Sequence, residues 1–364
     1  MSVIIFIIIL AILVLTHELG HFIAAKRSGV RVDEFGIGFP PRLFSKKIGE
    51  TIYSLNLLPV GGFVKIFGET PDTDSIGGKD SSRSLFNKSK AIQAWVISAG
   101  IIFNLLFAWV LISIGFMVGM PYSLDDSIYG KKVQGVALTI TQVLPQSPAQ
   151  TAGLKAGDNI IGLSAGEEHL FTPLVAPAQK FIATHDELLL TYLRDGKTET
   201  TIVRPRDGIV NEKHAIGVSL DMIGILKLSP YHAFAAGVTT TISITEETAR
   251  SMVSFFKNIF IGQANLSQIS GPVGIVSIVG GASALGFMHL ISLTALISIN
   301  LAVINILPFP ALDGGRLLFI IIETITRSRI KPEIANAVNG IGFLFLITLM
   351  VFVTFHDVVK LMQG

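Results

Sequence analysis

The stretch His17-Glu18-Leu19-Gly20-His21 sets two imidazoles one helical turn apart, with a carboxylate beside the first. Residues four apart share a helix face, so both imidazoles can reach one metal ion. Glu18 is then placed to take a proton from an activated water, which is the chemistry of metal-assisted hydrolysis. The same pattern also arises on ordinary polar helix faces. Here the surroundings argue against that reading, because Val3 to Ala25 is VIIFIIILAILVLTHELGHFIAA and its only ionisable groups are His17, Glu18 and His21. About 20 apolar residues cross a hydrocarbon core. A carboxylate near the middle of such a helix costs about 2.5–3.5 kcal/mol, so its presence points to function.

Two imidazoles do not complete a catalytic metal site, which takes three protein ligands and leaves a fourth position to water. The 364 residues include no cysteine. The third ligand must then be His, Asp or Glu at the same membrane depth. Asp313 qualifies, following Asn305-Ile-Leu-Pro308-Phe-Pro310-Ala-Leu, where two prolines interrupt helical hydrogen bonding. Glu323 is the runner-up, and Asp313 could instead be a buried acid paired with Arg316. His169, His185, His214, His232, His289 and His356 lack a partner at ligand spacing.

The elements that must position these groups follow from composition. Half of the residues are hydrophobic and 15% are charged, against about 25% charged in soluble domains. The expected fold is a polytopic α-helical membrane protein with four transmembrane helices, a membrane-associated β-hairpin and an inserted extracytoplasmic domain that is α+β and mostly β. A net charge of +2 gives no basis for nucleic-acid binding. The first apolar run lacks a basic flank before it and exceeds a signal-peptide core, so it should stay attached.

Residues 1–120 form an N-terminal membrane core with spans at about 3–26 and 91–120. Lys26, Arg27 and Arg31 place the intervening loop in the cytoplasm by the positive-inside rule. Within it, residues 51–67 are strand-like and expected to turn at Pro59-Val60-Gly61-Gly62. This hairpin either packs as a soluble element or dips toward the membrane with an edge open to a substrate. In the second span Gly100 and Asn104 lie one turn apart; Gly100 suits helix packing, and Asn104 needs a hydrogen-bond partner.

Residues 121–228 are globular in composition, with strands expected at 135–143, 188–193 and 199–203 and turns at Asp195-Gly196 and Asp207-Gly208. Within them Ser147-Pro-Ala-Gln-Thr-Ala-Gly-Leu-Lys-Ala-Gly-Asp-Asn-Ile-Ile161 resembles the signature of bacterial PDZ domains, which bind extended peptides by strand addition. A PDZ fold can equally serve as a steric plug. Residues 229–284 read as amphipathic or interfacial linker helices, with a turn at Ser270-Gly-Pro. Residues 285–364 form a C-terminal membrane core, with spans at about 285–312 and 339–361. Arg327, Arg329 and Lys331 mark a second cytoplasmic loop, which leaves both termini outside and the site near the cytoplasmic face.

Taken together, HELGH in the first span, Pro-Val-Gly-Gly-Phe-Val, Gly100…Asn104, the PDZ-like segment and N-x-x-P-x-P-x-L-D-G-G resemble the site-2 protease family of intramembrane zinc metalloproteases. The likeness is greatest to the bacterial regulator-of-sigma-E-protease branch and covers nearly the whole chain in order. It implies a Zn2+ enzyme in which His17, His21 and Asp313 are the metal ligands and Glu18 is the general base. It further implies substrate-binding roles for Asn305, Pro308 and Pro310, for Gly61, Gly62 and Phe63 of the hairpin, and for Asn104. The expected partners are single-pass membrane proteins, such as a pre-cleaved anti-sigma factor or a remnant signal peptide, in the bacterial cytoplasmic (inner) membrane and its lipid bilayer. Well-known members carry two tandem PDZ domains, whereas this chain has room for one. Two other readings are a membrane scaffold with structural zinc, which needs a fourth protein ligand, and a metal transporter, which needs polar residues along a path.

Overall fold

The computed structural model describes the chain except residues 71, 125–131, 145, 172, 195, 211–212, 263–270 and 364. Asp195 of the expected Asp195-Gly196 turn, Ser270 of the expected Ser270-Gly-Pro turn and the middle of the expected linker lie outside the described residues. The chain divides into two compact units, each described by itself. One comprises Met1–Ser113, Phe234–Ser283 and Leu290–Val359; the other is mainly Ile114–Ala233.

The first unit opens with helix α1 (Ser2–Arg27), and a long hairpin follows, β1 (Val32–Ile48) and β2 (Thr51–Ile66). The expected turn at Pro59–Gly62 is corrected: the chain reverses at Gly49-Glu50, and β2 continues through Pro59. Residues 59–62 instead bend the strand. Glu34–Ile37 of β1 pair on one side with Ile52–Leu55 and on the other with Gly62–Lys65. The run Gly62–Lys65 therefore forms an outer edge of the sheet, and no further strand pairs with it among the described residues.

After a short helix α2 (Thr73–Gly77) comes α3 (Lys90–Val118). Helices α1 and α3 cross in backbone contact, since a Cβ on Gly20 would stand 2.4 Å from the Ala99 carbonyl oxygen. Ala24, Ala25, Val30, Val32, Ile66, Leu85, Val96 and Ala99 form a buried cluster around the crossing and the root of the hairpin. Small residues let the backbones approach closely in a setting where lipid offers no hydrophobic drive between helices.

In the second unit, strands β3 (Met120–Ser123), β4 (Val133–Val143), β5 (Asn159–Ala165), β6 (Glu168–Phe171), β7 (Leu188–Arg194), β8 (Lys197–Val203) and β11 (Val218–Leu226) make one seven-stranded sheet. Its path is β3-β11-β4-β5-β7-β8, with β6 on β5. A small pair, β9 (Arg206–Val210) and β10 (Lys213–Ala215), stands apart from it. Pro148 opens the short α4 (Pro148–Thr151), which Ser147 caps from its side chain, and α5 (Val175–Thr184) buries Ala178 and Ile182. Asp158 is buried and held by Arg194 at 2.6 Å and by the Lys155 amide at 2.8 Å. That pairing fixes the turn from α4 into β5.

The remainder of the first unit begins with α6 (Pro230–Phe260), an amphipathic helix against the bundle. Trp109 on α3 donates to the Phe234 carbonyl at 3.0 Å. Then come α7 (Pro272–Ala284), the second helix within the expected linker 229–284, α8 (Phe287–Ile306), α9 (Asp313–Thr326) and α10 (Pro332–Gln363). Helices α1, α3, α8 and α10 are long and apolar enough to cross a membrane. The third expected span, 285–312, ends earlier, at Ile306. Pro308 and Pro310 cannot donate, and the residue before a proline avoids the helical region. The fourth begins seven residues before Asn339, because Pro332 sits readily at a helix start.

Candidate metal centre

The two imidazoles of α1 lie over Gly100 of α3. A Cβ on Gly100 would stand 2.4 Å from His21 Nε2 and 2.7 Å from His17 Cε1. The glycine thus leaves the space that the rings fill, a role beyond the helix packing expected of it. Asp313 comes from the other end of the chain as the first residue of α9. Its helix can start there because Gly314 and Gly315 let the backbone pass against the carbonyls of Leu307 and Phe309.

His17 Nε2 and His21 Nε2 are 3.2 Å apart, and Asp313 Oδ2 lies 3.1 Å from the first and 3.3 Å from the second. Among the described residues these three form the one group of His, Asp and Glu side chains whose ligand atoms converge within 4.8 Å. Asp313 Oδ2 is buried and accepts no hydrogen bond of acceptable geometry. An ion with zinc–ligand bonds of 2.0–2.1 Å in tetrahedral geometry separates its ligand atoms by about 3.3 Å. The triangle of donors therefore has the edge length of one face of such a tetrahedron.

The outer nitrogens of the rings support the same fit. His21 Nδ1 is 2.8 Å from the Val96 carbonyl oxygen. Donation to that oxygen leaves Nε2 with its lone pair toward the centre. His17 Nδ1 is 3.3 Å from the Asn104 amide, whose Oδ1 is buried without a partner. Turning that amide end for end lets Oδ1 accept from His17 Nδ1, which leaves Nε2 with its lone pair toward the centre. The Asn104 backbone carbonyl accepts from Ser298 Oγ at 2.8 Å, tying α3 to α8. Asn104, expected among substrate-binding residues, thus stands behind the His17 ring.

Glu18 faces the hairpin. Its Oε2 accepts from the Val64 amide at 2.9 Å. Val64 pairs with Phe35 on the inner side of its strand, so this donor belongs to the outer edge. Gly62 and Phe63 adjoin it on that edge, and a Cβ on Gly61 would meet Phe39 and Val14 of α1 at 3.3 and 3.5 Å. Asn305 is half-buried at the end of α8, Pro308 is exposed and Pro310 half-buried in the following loop. Glu323 is engaged elsewhere, with Lys90 and the Ile330 amide. Arg316 pairs with Glu69 just past the hairpin, not with Asp313.

The model of peptidase family M50 matches residues 5–349 of the chain. A relative in Clostridium perfringens is 34% identical over 348 residues, 95% of each chain. The regulator of sigma-W protease RasP of Bacillus subtilis is 29% identical over 436 residues, 99% of each chain. The zinc metalloprotease RasP of Bacillus licheniformis is 29% identical over 440 residues, again 99% of each. The match runs through all four apolar spans, and by it the chain belongs to peptidase family M50, the site-2 proteases, and is a zinc-dependent metalloprotease of that type.

Proposed function

We propose that this enzyme hydrolyses peptide bonds within the transmembrane segments of single-pass membrane proteins, with His17, His21 and Asp313 holding zinc and Glu18 as general base. The observation that carries this reading is the convergence of those three ligand atoms, from α1 and α9, beside a glutamate on an apolar helix. Zinc, when bound, supplies a Lewis acid that acidifies water toward a pKa of about 7 and polarises the scissile carbonyl. Glu18 accepts the proton of the attacking water as the C–O bond forms, then gives it to the departing nitrogen as the C–N bond breaks. The Val64 amide holds Glu18 Oε2 and leaves Oε1 for that proton.

A helical substrate hides its peptide bonds in its own hydrogen bonds, so it must be unwound first. The outer edge at Gly62–Lys65 offers backbone groups to replace those bonds by strand addition, with Gly61, Gly62 and Phe63 lining the approach. Asn305, which has no side-chain hydrogen bond among the described residues, and the Pro308–Pro310 loop face the same task from α8. The sheet-containing second unit acts as a PDZ domain that filters substrates by size or binds a freshly exposed end. The substrates are pre-cleaved anti-sigma factors or remnant signal peptides. The enzyme sits in a bacterial cytoplasmic membrane with its termini and PDZ domain outside and the site near the cytoplasmic side, as the positions of Lys26, Arg27, Arg31, Arg327, Arg329 and Lys331 support.

The test is cleavage of a truncated single-pass substrate by detergent-purified protein, wild type beside Glu18→Gln, with bound zinc counted in each. Cleavage by wild type that is lost with Glu18→Gln or with chelator is expected. Equal cleavage by Glu18→Gln removes Glu18 from the mechanism.

A further inference from the structure

Ala311 lies two residues before Asp313 with φ of +73°, a left-handed backbone that a residue with a Cβ rarely adopts. Such a conformation persists only where its surroundings impose it. The structure shows what imposes it. The Ala311 amide donates to Asn339 Oδ1 at 3.2 Å, from the second turn of α10. Three residues on, Gly342 has no room for a Cβ, which would stand 2.5 Å from Pro310 Cβ and 2.7 Å from the Pro310 oxygen. Three further on, Phe345 packs on Phe309 with ring centroids 5.6 Å apart. Asn339, Gly342 and Phe345 recur at helical spacing and present one face of α10 to the loop 307–312. From the opposite side, the same loop rests against Gly314 and Gly315 of α9.

An asparagine inside an apolar span is unfavourable unless it is paired. Here its partner is the one backbone amide whose conformation sets how the chain leaves the loop and enters α9 at Asp313. We infer that Asn339 is a positioning residue for the metal centre: by holding the Ala311 amide it keeps the Pro310-Ala311-Leu312 turn in the form that aims Asp313 at His17 and His21. Among the described residues the Asn339 side chain bonds the Ala311 amide and none of the three proposed ligands. The inference rests on the proposed ligand set and adds to it a contribution from the fourth span.

The test exploits the backbone rather than the side chain. Asn339→Leu keeps the size and apolar setting and removes the acceptor. Ala311→Gly lets residue 311 hold positive φ without help. Zinc affinity is measured by competition with a chromophoric chelator on the full-length protein in detergent, alongside kcat and KM on the truncated substrate. Asn339→Leu is expected to bind zinc about tenfold more weakly and to lower kcat with little change in KM. Ala311→Gly in the same chain is expected to restore most of both. Restoration marks positioning through the loop, because a general packing defect in α10 is not repaired at position 311. Unchanged zinc affinity in Asn339→Leu, or a loss that Ala311→Gly leaves untouched, overturns the inference. If Asn339→Leu does not fold, Ala311→Val carries the test with Asn339 intact. A β-branched residue resists positive φ, so wild-type affinity there also overturns it. Glu18→Gln is run in parallel: its full activity discredits the site itself, whereas a silent Asn339→Leu discredits only the positioning role.

Discussion

Gly100 on α3 and His21 on α1 are in such close contact that one added methyl would stand 2.4 Å from the ring nitrogen facing Asp313. The space for the proposed metal ligands is thus set by the helix that carries none of them. Gly100→Ala should displace both imidazoles while leaving every proposed ligand in the sequence. We expect zinc affinity to fall about 10–100-fold, the range seen when the groups supporting a metal site are disturbed, with a parallel loss of cleavage. Gly281→Ala is the control, because nothing lies within 4 Å of the Cβ it would add. Zinc content after dialysis against a buffered chelator checks both. Wild-type retention of zinc by Gly100→Ala would show that the helices separate without cost.

The hairpin is held to both halves of the centre. Val64 binds Glu18 of α1, and Glu69, three residues beyond β2, pairs with Arg316 on the turn of α9 after Asp313. The proposed substrate pairing at the outer edge therefore depends on a strand anchored at two points. Breaking the ion pair with Glu69→Gln or Arg316→Gln should raise KM several-fold more than it lowers kcat. It should also expose the hairpin to added protease. The exchanged pair Glu69→Arg with Arg316→Glu should recover part of the loss, with a coupling of about 0.5–3 kcal/mol. Strictly additive effects in that cycle would show that the two residues act independently.

Local chemistry was legible in the sequence where it depended on a short spacing. His17, Glu18 and His21 lie on one helix, and a shared membrane depth points to Asp313 among the acids. Proline and glycine mark turns and bends alike, so Pro59–Gly62 reads in the sequence as the hairpin's turn although it bends a strand. Only the pairing of Glu34–Ile37 with two separate runs distinguishes a folded-over strand from a reversal. Gly100 was read as packing alone, since a glycine has no side chain to announce what occupies its space. Asn339 stood at the expected start of the last span, where an apolar run begins. Pro332 starts the helix two turns earlier and so puts Asn339 inside it. The Glu69–Arg316 pair joins residues 247 apart in sequence, and no local pattern foretells it.

The tip of the hairpin carries a pH-dependent anchor. Glu50, at the reversal between β1 and β2, receives both arms of Arg83 at 2.7 and 2.8 Å and Lys26 at 2.7 Å. Hydrogen bonds from Arg83 first, and then from Lys26, hold its carboxyl down at about 2, against an ordinary value of 4.5. A depressed folded-state pKa means that the contribution is complete above the ordinary value and fades as pH falls through the folded one. The anchor should therefore be constant from pH 7 to 5, weaken below about 4.5 and be gone near pH 2. Because the pair is about a third exposed, salt should weaken it too. Amide exchange across residues 46–54, corrected for the intrinsic pH dependence, is the measurement. Protection that drops between pH 4.5 and 2 in wild type, but is already low and flat in Glu50→Gln, is expected. Identical profiles in the two proteins would mean that the hairpin's reversal holds by its backbone pairing alone.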